Sequence, residues 1–163
     1  RSRGLGDVYK RQLKDFIMPV AEDVRGSFAE SIQIFQGLVF ILDDNIELAK
    51  RQFQSLLEKT DNPMSKTISK LYLLQIALLE EDHEKAEEYA SNRGVKSFLS
   101  LKMADTQIMQ AWYQFLVKKD RDQTDKAIKI ARKNMVTSRL VRDEKRYYEN
   151  WLAELEKELS EGV

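Results

Sequence analysis

The sequence predicts an all-α protein built from antiparallel helical hairpins. Three observations lead to this fold class. Apolar residues recur at three- and four-residue steps along most of the chain, which is the period of an amphipathic helix. No segment shows the alternating pattern of a strand, and two prolines and six glycines in 163 residues are too few for the many turns of an all-β protein. Short connections between the helical segments favour antiparallel neighbours.

The composition is that of a globular domain. Apolar residues make up 42% and charged residues 33% of the chain, and the net charge is zero. Cysteine is absent, which excludes a disulfide framework and a cysteine-based zinc site and fits a reducing, cytoplasmic compartment. The main apolar run, from Ile34 to Leu42, is interrupted by Gln36 and is far shorter than the ~20 residues of a membrane span.

Residues 1–12, RSRGLGDVYKRQ, differ from the rest of the chain. They begin without Met, carry four arginines or lysines and have no helical or strand period. They resemble a translated sequencing-adapter artefact, and an ordinary basic, disordered leader is the alternative interpretation. On the first interpretation the native N-terminus is missing, together with any signal or anchor that it carried.

Two helices are predicted before the first clear turn. The first covers residues 13–24 and contains Pro19, which should end or kink it because proline has no N–H to donate. Ser27 is expected to cap the second helix, residues 28–42, with Glu30 three positions later as its capping-box partner.

Capping residues also mark the next boundaries. Asp44 and Glu47 have the capping-box spacing at the start of a helix that runs to about Lys59. Asn62 is expected to cap the following helix, and Pro63 to open it, because proline is favoured at the first helical position.

The following helix, residues 64–81, is apolar nearly all round, so we expect it to be buried between neighbours. Asp82 is expected to cap a short helix that ends at about Asn92. Gly94 is expected to close that helix in the left-handed conformation.

The C-terminal part is predicted to contain two more helices before the last one. One begins at about Ser97 or Leu101 and ends at Val117. Asp122 is expected to cap the other, which ends at about Val136.

Residues 30–63 carry the clearest hairpin motif. Gly37 is a small residue mid-way along the first helix, and the aromatic Phe40 follows three residues later. Pro63 lies near the end of the hairpin. The second helix has small and bulky apolar residues on one face, namely Ala49, Phe53 and Leu56. This motif resembles the tetratricopeptide-repeat superfamily, although Pro63 lies later than the family's closing proline.

Two weaker hairpins follow, at about 64–92 and 97–136. The alanines that align the three hairpins, Ala49, Ala86 and Ala127, are 37 and 41 residues apart, against the family's period of about 34. The resemblance covers about 30–135 and is specific for one repeat and loose for two. It implies a short right-handed array, within a single domain of residues 13–163, closed by a capping helix at 139–159. A generic helical bundle is the alternative.

The resemblance also implies a binding surface, because in this family the first helices line a concave groove. The basic clamp with which chaperone-binding members hold a C-terminal carboxylate is absent, and the groove should be apolar. The candidate groove residues are Ile34, Leu38, Ile41, Leu71 and Leu78. We therefore expect a non-catalytic scaffold that binds an apolar or amphipathic segment of a protein or peptide partner.

The chain itself offers another occupant for such a groove. The predicted helix 13–24 carries Phe16, Ile17 and Val20, and these side chains could fill an apolar groove. A third interpretation is a purely structural domain of a longer, membrane-anchored protein.

No residue pattern indicates catalysis, a cofactor or a metal site. His83 is the only histidine, and with Glu84 and Glu87 it suggests a metal site only weakly. Glutamates in the first turn of a helix are explained by the helix macrodipole. No aspartate or glutamate lies in an apolar stretch that would raise its pKa for acid–base chemistry.

Charge is unevenly distributed. Residues 80–88 have a net charge of −5, and residues 118–146 have eleven basic residues against five acidic ones. Lys126, Lys129 and Lys133 share one helix face and could bind nucleic acid. Charge runs on helices are usually solvated faces, however, and the net charge of the chain is zero. The sequence therefore favours an acidic protein partner over nucleic acid.

Overall fold

The computed structural model describes residues 25–138 and 140–162, and within these ranges the protein is helical and has no strand. The predicted all-α class is confirmed. Residues 1–12 and the predicted helix 13–24 lie outside the described ranges. The eight α-helices are α1 Arg25–Leu42, α2 Ile46–Lys59, α3 Pro63–Leu79, α4 His83–Ala90, α5 Arg93–Leu99, α6 Ala104–Tyr113, α7 Arg121–Met135 and α8 Arg142–Glu161. A π-helical segment, Gln114–Lys118, continues α6.

The chain divides into two compact units, Arg1–Ile76 and Ala77–Val163. The division falls inside α3 rather than between two of the predicted hairpins. The grouping of all helices into one domain of residues 13–163 stays a prediction.

In the first unit, α1 and α2 form a closely packed hairpin. Gly37 of α1 lies against the ring of Phe53 of α2, and a Cβ atom at Gly37 would be 2.5 Å from Phe53 Cζ. Phe53 in turn stacks on Tyr72 of α3, with ring centroids 5.1 Å apart. The small residue in the first helix of the motif therefore has a physical role, since it lets an aromatic ring fill the space between two helices.

Some predicted caps in this unit are wrong. Helix α1 begins at Arg25, so Ser27 lies inside it and is not its N-cap. Asn45, not Asp44, is the N-cap of α2, and it makes no side-chain capping hydrogen bond. Asp44 instead occupies the left-handed region with φ 62°, which the tight connection between α1 and α2 requires.

The predicted start of α3 is confirmed. Asn62 Oδ1 accepts hydrogen bonds from the backbone N–H groups of Met64, at 2.9 Å, and Ser65, at 3.1 Å. Pro63 is the first helical residue, where its missing N–H costs no hydrogen bond. The helix is buried along most of its length, as the sequence predicts.

In the second unit the predicted cap of α4 is confirmed, but the predicted end of this helix is wrong. Asp82 caps α4 by accepting a hydrogen bond from Lys85 N at 3.1 Å. Gly94 does not end this helix, and no described glycine has a positive φ. Asn92 instead caps a new helix, α5, by accepting from Gly94 N and Val95 N. The sequence Asn92-Arg93-Gly94 therefore starts a helix here, because the side-chain oxygen of Asn92 satisfies two free N–H groups of its first turn.

For the predicted helix from Ser97 or Leu101 to Val117, the start at Ser97 is wrong, because α5 ends at Leu99 and a loop of residues 100–103 follows. The start at Leu101 is three residues early, since α6 begins at Ala104 and continues as the π-helical segment to Lys118. Lys119 ends the π-helical segment in the left-handed region with φ 57°. Asp120, rather than Asp122, then caps α7 by accepting from Gln123 N at 3.0 Å.

Helix α8 covers one side of the second unit and begins three residues later than the predicted position 139. Trp151 of α8 stacks on Trp112 of α6, with centroids 5.8 Å apart and an interplanar angle of 16°. Trp112 Nε1 also donates to the Trp151 backbone carbonyl at 3.1 Å. One side of α8 is buried and the other is exposed. None of the described helices is long and apolar enough to cross a membrane.

Candidate binding cleft

The predicted groove residues lie mostly in the protein core. In the first unit Leu38, Ile41 and Leu71 are buried, and Ile34 is half-buried. In the second unit Leu78 is buried as well. Four of the five side chains therefore present almost no surface to a partner. The predicted helix 13–24, the alternative occupant, lies outside the described residues.

The large apolar side chains that are exposed differ from the predicted groove residues. Three large apolar side chains are exposed near one end of the second unit. Leu101 is 42% exposed and Met103 is 49% exposed, both in the loop of residues 100–103, and Val136, at the end of α7, is 81% exposed. Two further exposed apolar side chains, Leu48 and Met64, belong to the first unit. Because three exposed apolar side chains lie near the start of α6 and the end of α7, this region is a candidate binding site.

A cleft of about 340 Å³ opens at this end of the second unit, and we call it the Met103 cleft. One wall is formed by residues 102–105, before and within the first turn of α6. The other wall is formed by the end of α7 and the connection to α8. The lining residues are Lys102, Met103, Ala104, Asp105, Asn134, Thr137, Ser138 and Leu140. The volume falls within the range of small-ligand pockets, and most of the surface comes from carbon atoms of these side chains.

Two buried polar side chains hold the loop of residues 100–103 in place. Gln107 Nε2 donates to the backbone carbonyls of Leu99, at 2.9 Å, and Leu101, at 2.7 Å. Thr106 Oγ1 lies 3.2 Å from the Leu101 carbonyl oxygen. Both Gln107 and Thr106 are buried, so water competes little for these bonds. The loop therefore presents Leu101 and Met103 from a fixed backbone.

Asp105 gives the Met103 cleft a titratable group. Its side chain is partly buried, and Asp105 Oδ1 accepts a hydrogen bond from Thr106 N at 2.9 Å. Burial raises the pKa of the Asp105 carboxyl above its ordinary value, because the charged form loses solvation. The expectation that no acidic residue has such surroundings is therefore wrong. Its neighbours Met103, Ala104 and Ile108 are apolar, and this sequence context was the signal available.

A second polar cluster ties α4 to the end of α6. Tyr113 OH donates to Glu87 Oε2 at 2.7 Å, and Lys118 Nζ donates to Glu87 Oε1 at 3.0 Å. The hydrogen bond from Tyr113 and then that from Lys118 hold the pKa of Glu87 below its ordinary value. Burial, together with the bond to Glu87, raises the pKa of Tyr113 to about 12.

Glu87 is therefore a poor second ligand for a metal ion at His83, because its two carboxylate oxygens already accept hydrogen bonds from Tyr113 and Lys118. Among the described residues, no group of three or more histidines, aspartates or glutamates could hold a metal ion.

The basic residues of α7 are partly neutralised. Arg121 pairs with Asp125 at 3.1 Å, and Arg132 pairs with Glu156 of α8. Lys126, Lys129 and Lys133 are exposed. The positive surface of this helix is consequently narrower than the sequence suggests.

Comparisons of the chain with protein-family models, with curated proteins and with solved structures found no match. The tetratricopeptide resemblance therefore rests on the motif residues themselves and stays a prediction.

Proposed function

We propose that the protein is a non-catalytic interaction module that binds an amphipathic segment of a protein partner in the Met103 cleft. The observation that carries this proposal is the fixed loop of residues 100–103, which exposes Leu101 and Met103 beside an apolar cleft. A preorganised apolar surface favours binding, because little conformational entropy is lost when the partner docks. The proposal keeps the scaffold role expected from the repeat motif and moves its site.

The charge around the cleft indicates which segment fits. Lys102 lines the cleft and is exposed, and Lys133 and Arg142 are exposed on the neighbouring ends of α7 and α8. Asp105 is the only acidic lining residue, and burial disfavours its charged form. We therefore assign an acidic amphipathic helix as the partner, with apolar residues for the cleft and carboxylates for the basic rim.

The lining of the cleft supports binding rather than catalysis. Lys102 and Asp105 are its two titratable side chains, and Lys102 is exposed to solvent. A catalytic site usually combines a nucleophile or base with a group that orients it. The Ser138 hydroxyl is buried without a hydrogen-bond partner among the described residues, so none of them is placed as a base to activate it.

The test uses displayed libraries of amphipathic helical peptides, sorted by net charge and selected against the purified protein. We expect acidic peptides to be enriched, and Met103→Asp to weaken their binding about tenfold by fluorescence anisotropy. Met64→Asp is the matched control, since Met64 is also an exposed methionine, at 58%, but lies in the first unit. Equal binding by the two variants, or enrichment of basic peptides, would contradict the proposal.

A second candidate, nucleic-acid binding through residues 118–146, is favoured by the exposure of Lys126, Lys129 and Lys133 on α7. The ion pairs of Arg121 and Arg132 with acidic side chains weigh against it. Absence of salt-dependent binding to single- or double-stranded oligonucleotides at ~50 mM salt would remove this candidate.

A further inference from the structure

The loop of residues 100–103 contains no residue type that usually interrupts a helix. Its sequence is Ser-Leu-Lys-Met, without glycine or proline. Leucine, lysine and methionine are among the better helix formers, whereas glycine and proline are the usual helix breakers. Nevertheless α5 ends at Leu99 and α6 begins only at Ala104. The conformation of this loop therefore depends on contacts with residues outside it.

The N-cap residue of α6 does not fix the boundary between the loop and this helix. Met103 occupies the N-cap position, with φ −114° and ψ 149°, and makes no side-chain capping hydrogen bond. Serine, threonine, asparagine and aspartate are favoured at this position, because their side-chain oxygens accept hydrogen bonds from the first N–H groups of the helix. The thioether of methionine is only a weak acceptor. Other side chains must therefore hold the loop.

Gln107 supplies hydrogen bonds that a continuous helix would have made with its own backbone. In such a helix the Leu99 and Leu101 carbonyls would accept from N–H groups four residues later. Here the Gln107 side chain takes this role, with Nε2 2.9 Å from the Leu99 oxygen and 2.7 Å from the Leu101 oxygen. Thr106 Oγ1 adds a weaker contact, at 3.2 Å from the Leu101 oxygen. One amide group thus joins the end of α5, the loop and α6.

Gln107 does not belong to the surface that a partner would touch. It is only 4% exposed, and neither Gln107 nor Thr106 lines the Met103 cleft. The exposed side chains of the loop are those of Leu101 and Met103. Gln107 can therefore influence a partner only through the conformation of the loop.

We propose that Gln107 is a positioning residue of the Met103 cleft, which keeps the loop of residues 100–103 in the conformation that an acidic amphipathic helix binds. This inference rests on the proposed function. If the two carbonyls lose their donor, they must find other partners, and the loop occupies several conformations. A partner then binds only the fraction of molecules whose loop has the binding conformation, so the apparent dissociation constant rises by the inverse of that fraction.

Gln107→Met is the variant that tests this role, since methionine has a similar length but no N–H donor. Gln110→Met is the matched control on the same helix, because Gln110 Oε1 accepts from Gln114 rather than bonding the loop, and Gln110 does not line the cleft. Thr106→Val removes only the hydroxyl and should act in the same direction with a smaller effect. This milder variant keeps the inference testable if Gln107→Met does not fold.

The first measurement needs no partner. Backbone amide relaxation of the whole unliganded protein is measured by NMR. Residues 100–103 should have order parameters of about 0.85 in the wild type and in Gln110→Met, and below about 0.6 in Gln107→Met. A loop that is equally ordered in Gln107→Met and the wild type, or that is already flexible in the wild type, would overturn the inference.

The second measurement distinguishes positioning from contact. The probe is the tightest acidic peptide from the displayed libraries, and its association and dissociation rate constants are measured by stopped-flow fluorescence. Gln107→Met should lower the association rate constant about fivefold and leave the dissociation rate constant unchanged, because every bound molecule has the ordered loop. Met103→Asp removes a contact and should act mainly on the dissociation rate constant. An effect of Gln107→Met on dissociation alone would contradict a positioning role.

Failure of the proposed function and failure of this inference give different results. If no acidic peptide binds the wild type, the proposed function fails, and the order parameters alone decide whether Gln107 fixes the loop. If such peptides bind the wild type and Gln107→Met with the same association rate constant, the proposed function stands and this inference fails.

Discussion

Two carboxylates of the second unit have pKa values displaced in opposite directions. Burial raises the pKa of Asp105, and hydrogen bonds from Tyr113 and Lys118 lower that of Glu87. Asp105 therefore reduces the stability of the folded protein as pH rises through the window above its ordinary pKa. Glu87 adds stability above the ordinary carboxyl pKa, and this contribution is lost as pH falls through its lowered folded value. Single substitutions should separate the two effects.

Asp105→Asn should remove the part of the pH dependence of folding stability that comes from the Asp105 carboxyl. Because folded Asp105 keeps its proton to a higher pH than the unfolded chain does, the wild-type protein loses stability as pH rises, and the variant does not. The unfolding free energy of the variant, relative to that of the wild type, should therefore increase from pH 4 to pH 7. Urea denaturation measures both free energies. A difference that is constant over this range would show that Asp105 titrates normally.

The same substitution should change binding at the Met103 cleft. A partner that covers the cleft removes more water from Asp105, which further disfavours its charged form. Affinity for the selected acidic peptides should therefore rise as pH falls from 7 to 5 in the wild type. Protonation of the peptide carboxylates weakens binding to the basic side chains as pH falls, and it does so in both proteins, so Asp105→Asn should abolish the rise and leave only this weakening. An identical pH profile in the two proteins would contradict the role given to Asp105.

Tyr113→Phe should destabilise the protein by about 1 kcal/mol at pH 7, because Glu87 loses a hydrogen bond from a buried donor. The loss should shrink near pH 3, where Glu87 becomes protonated and the bond to its charged form no longer contributes. Urea denaturation at both pH values measures the change. A loss of the same size at both would assign the effect to packing of the ring instead.

At the scale of helices, hydrophobic periodicity predicted where the helices lie, and side-chain hydrogen bonds decided where they begin and end. Asn92 can cap or terminate a helix, and the sequence alone did not distinguish these roles. The sequence left the start of the helix before Val117 open between Ser97 and Leu101, because the loop of residues 100–103 depends on Gln107, which reaches back to two carbonyls that a continuous helix would have bonded itself. The cleft beside this loop was missed for the same reason.

The α1–α2 hairpin offers the sharpest test of close helix packing. Gly37→Ala should destabilise the protein by about 2 kcal/mol, because the new Cβ would lie 2.5 Å from Phe53 Cζ, and Phe53 is buried against Tyr72. This loss should exceed the gain of about 1 kcal/mol that alanine brings to a helix interior.

Gly94→Ala is the matched control for Gly37→Ala. Gly94 lies near the start of α5 and, like Gly37, has no positive φ. Thermal unfolding followed by circular dichroism compares the two variants. If Gly37→Ala were as stable as the wild type, the packing of Phe53 against α1 would be looser than described.

At the scale of the whole molecule, the zero net charge conceals separated charges within the second unit. Lys102 and Asp105 are the two charged residues that line the Met103 cleft, whereas four exposed glutamates and one lysine line a second cleft of this unit. The uneven distribution of charge was visible in the sequence. The ion pairs were not, since Arg132 contacts Glu156 only because α7 packs against α8. Four of the five predicted groove residues are buried, and the sequence could not show this, because the repeat pattern marks apolar positions without showing which of them other parts of the chain cover.

The exposed glutamates near the C-terminal end of α8 should affect thermal stability. Glu154→Gln/Glu158→Gln should raise the melting temperature by a few degrees, because it removes two negative charges from the C-terminal part of α8. Glu84→Gln removes a charge near a helix N-terminus and should lower it slightly. Differential scanning calorimetry at low salt measures both changes. A lower melting temperature in the double variant would mean that these glutamates stabilise the helix.

The way in which Gln107 holds the loop of residues 100–103 has a consequence for how recognition could change. Its bonds go to the backbone carbonyls of Leu99 and Leu101, not to the side chains that face a partner. The exposed side chains at positions 101 and 103 can therefore be exchanged without altering the path of the backbone. Partner preference in such a protein is free to diverge through substitutions in one short loop, while the helices beneath it stay the same.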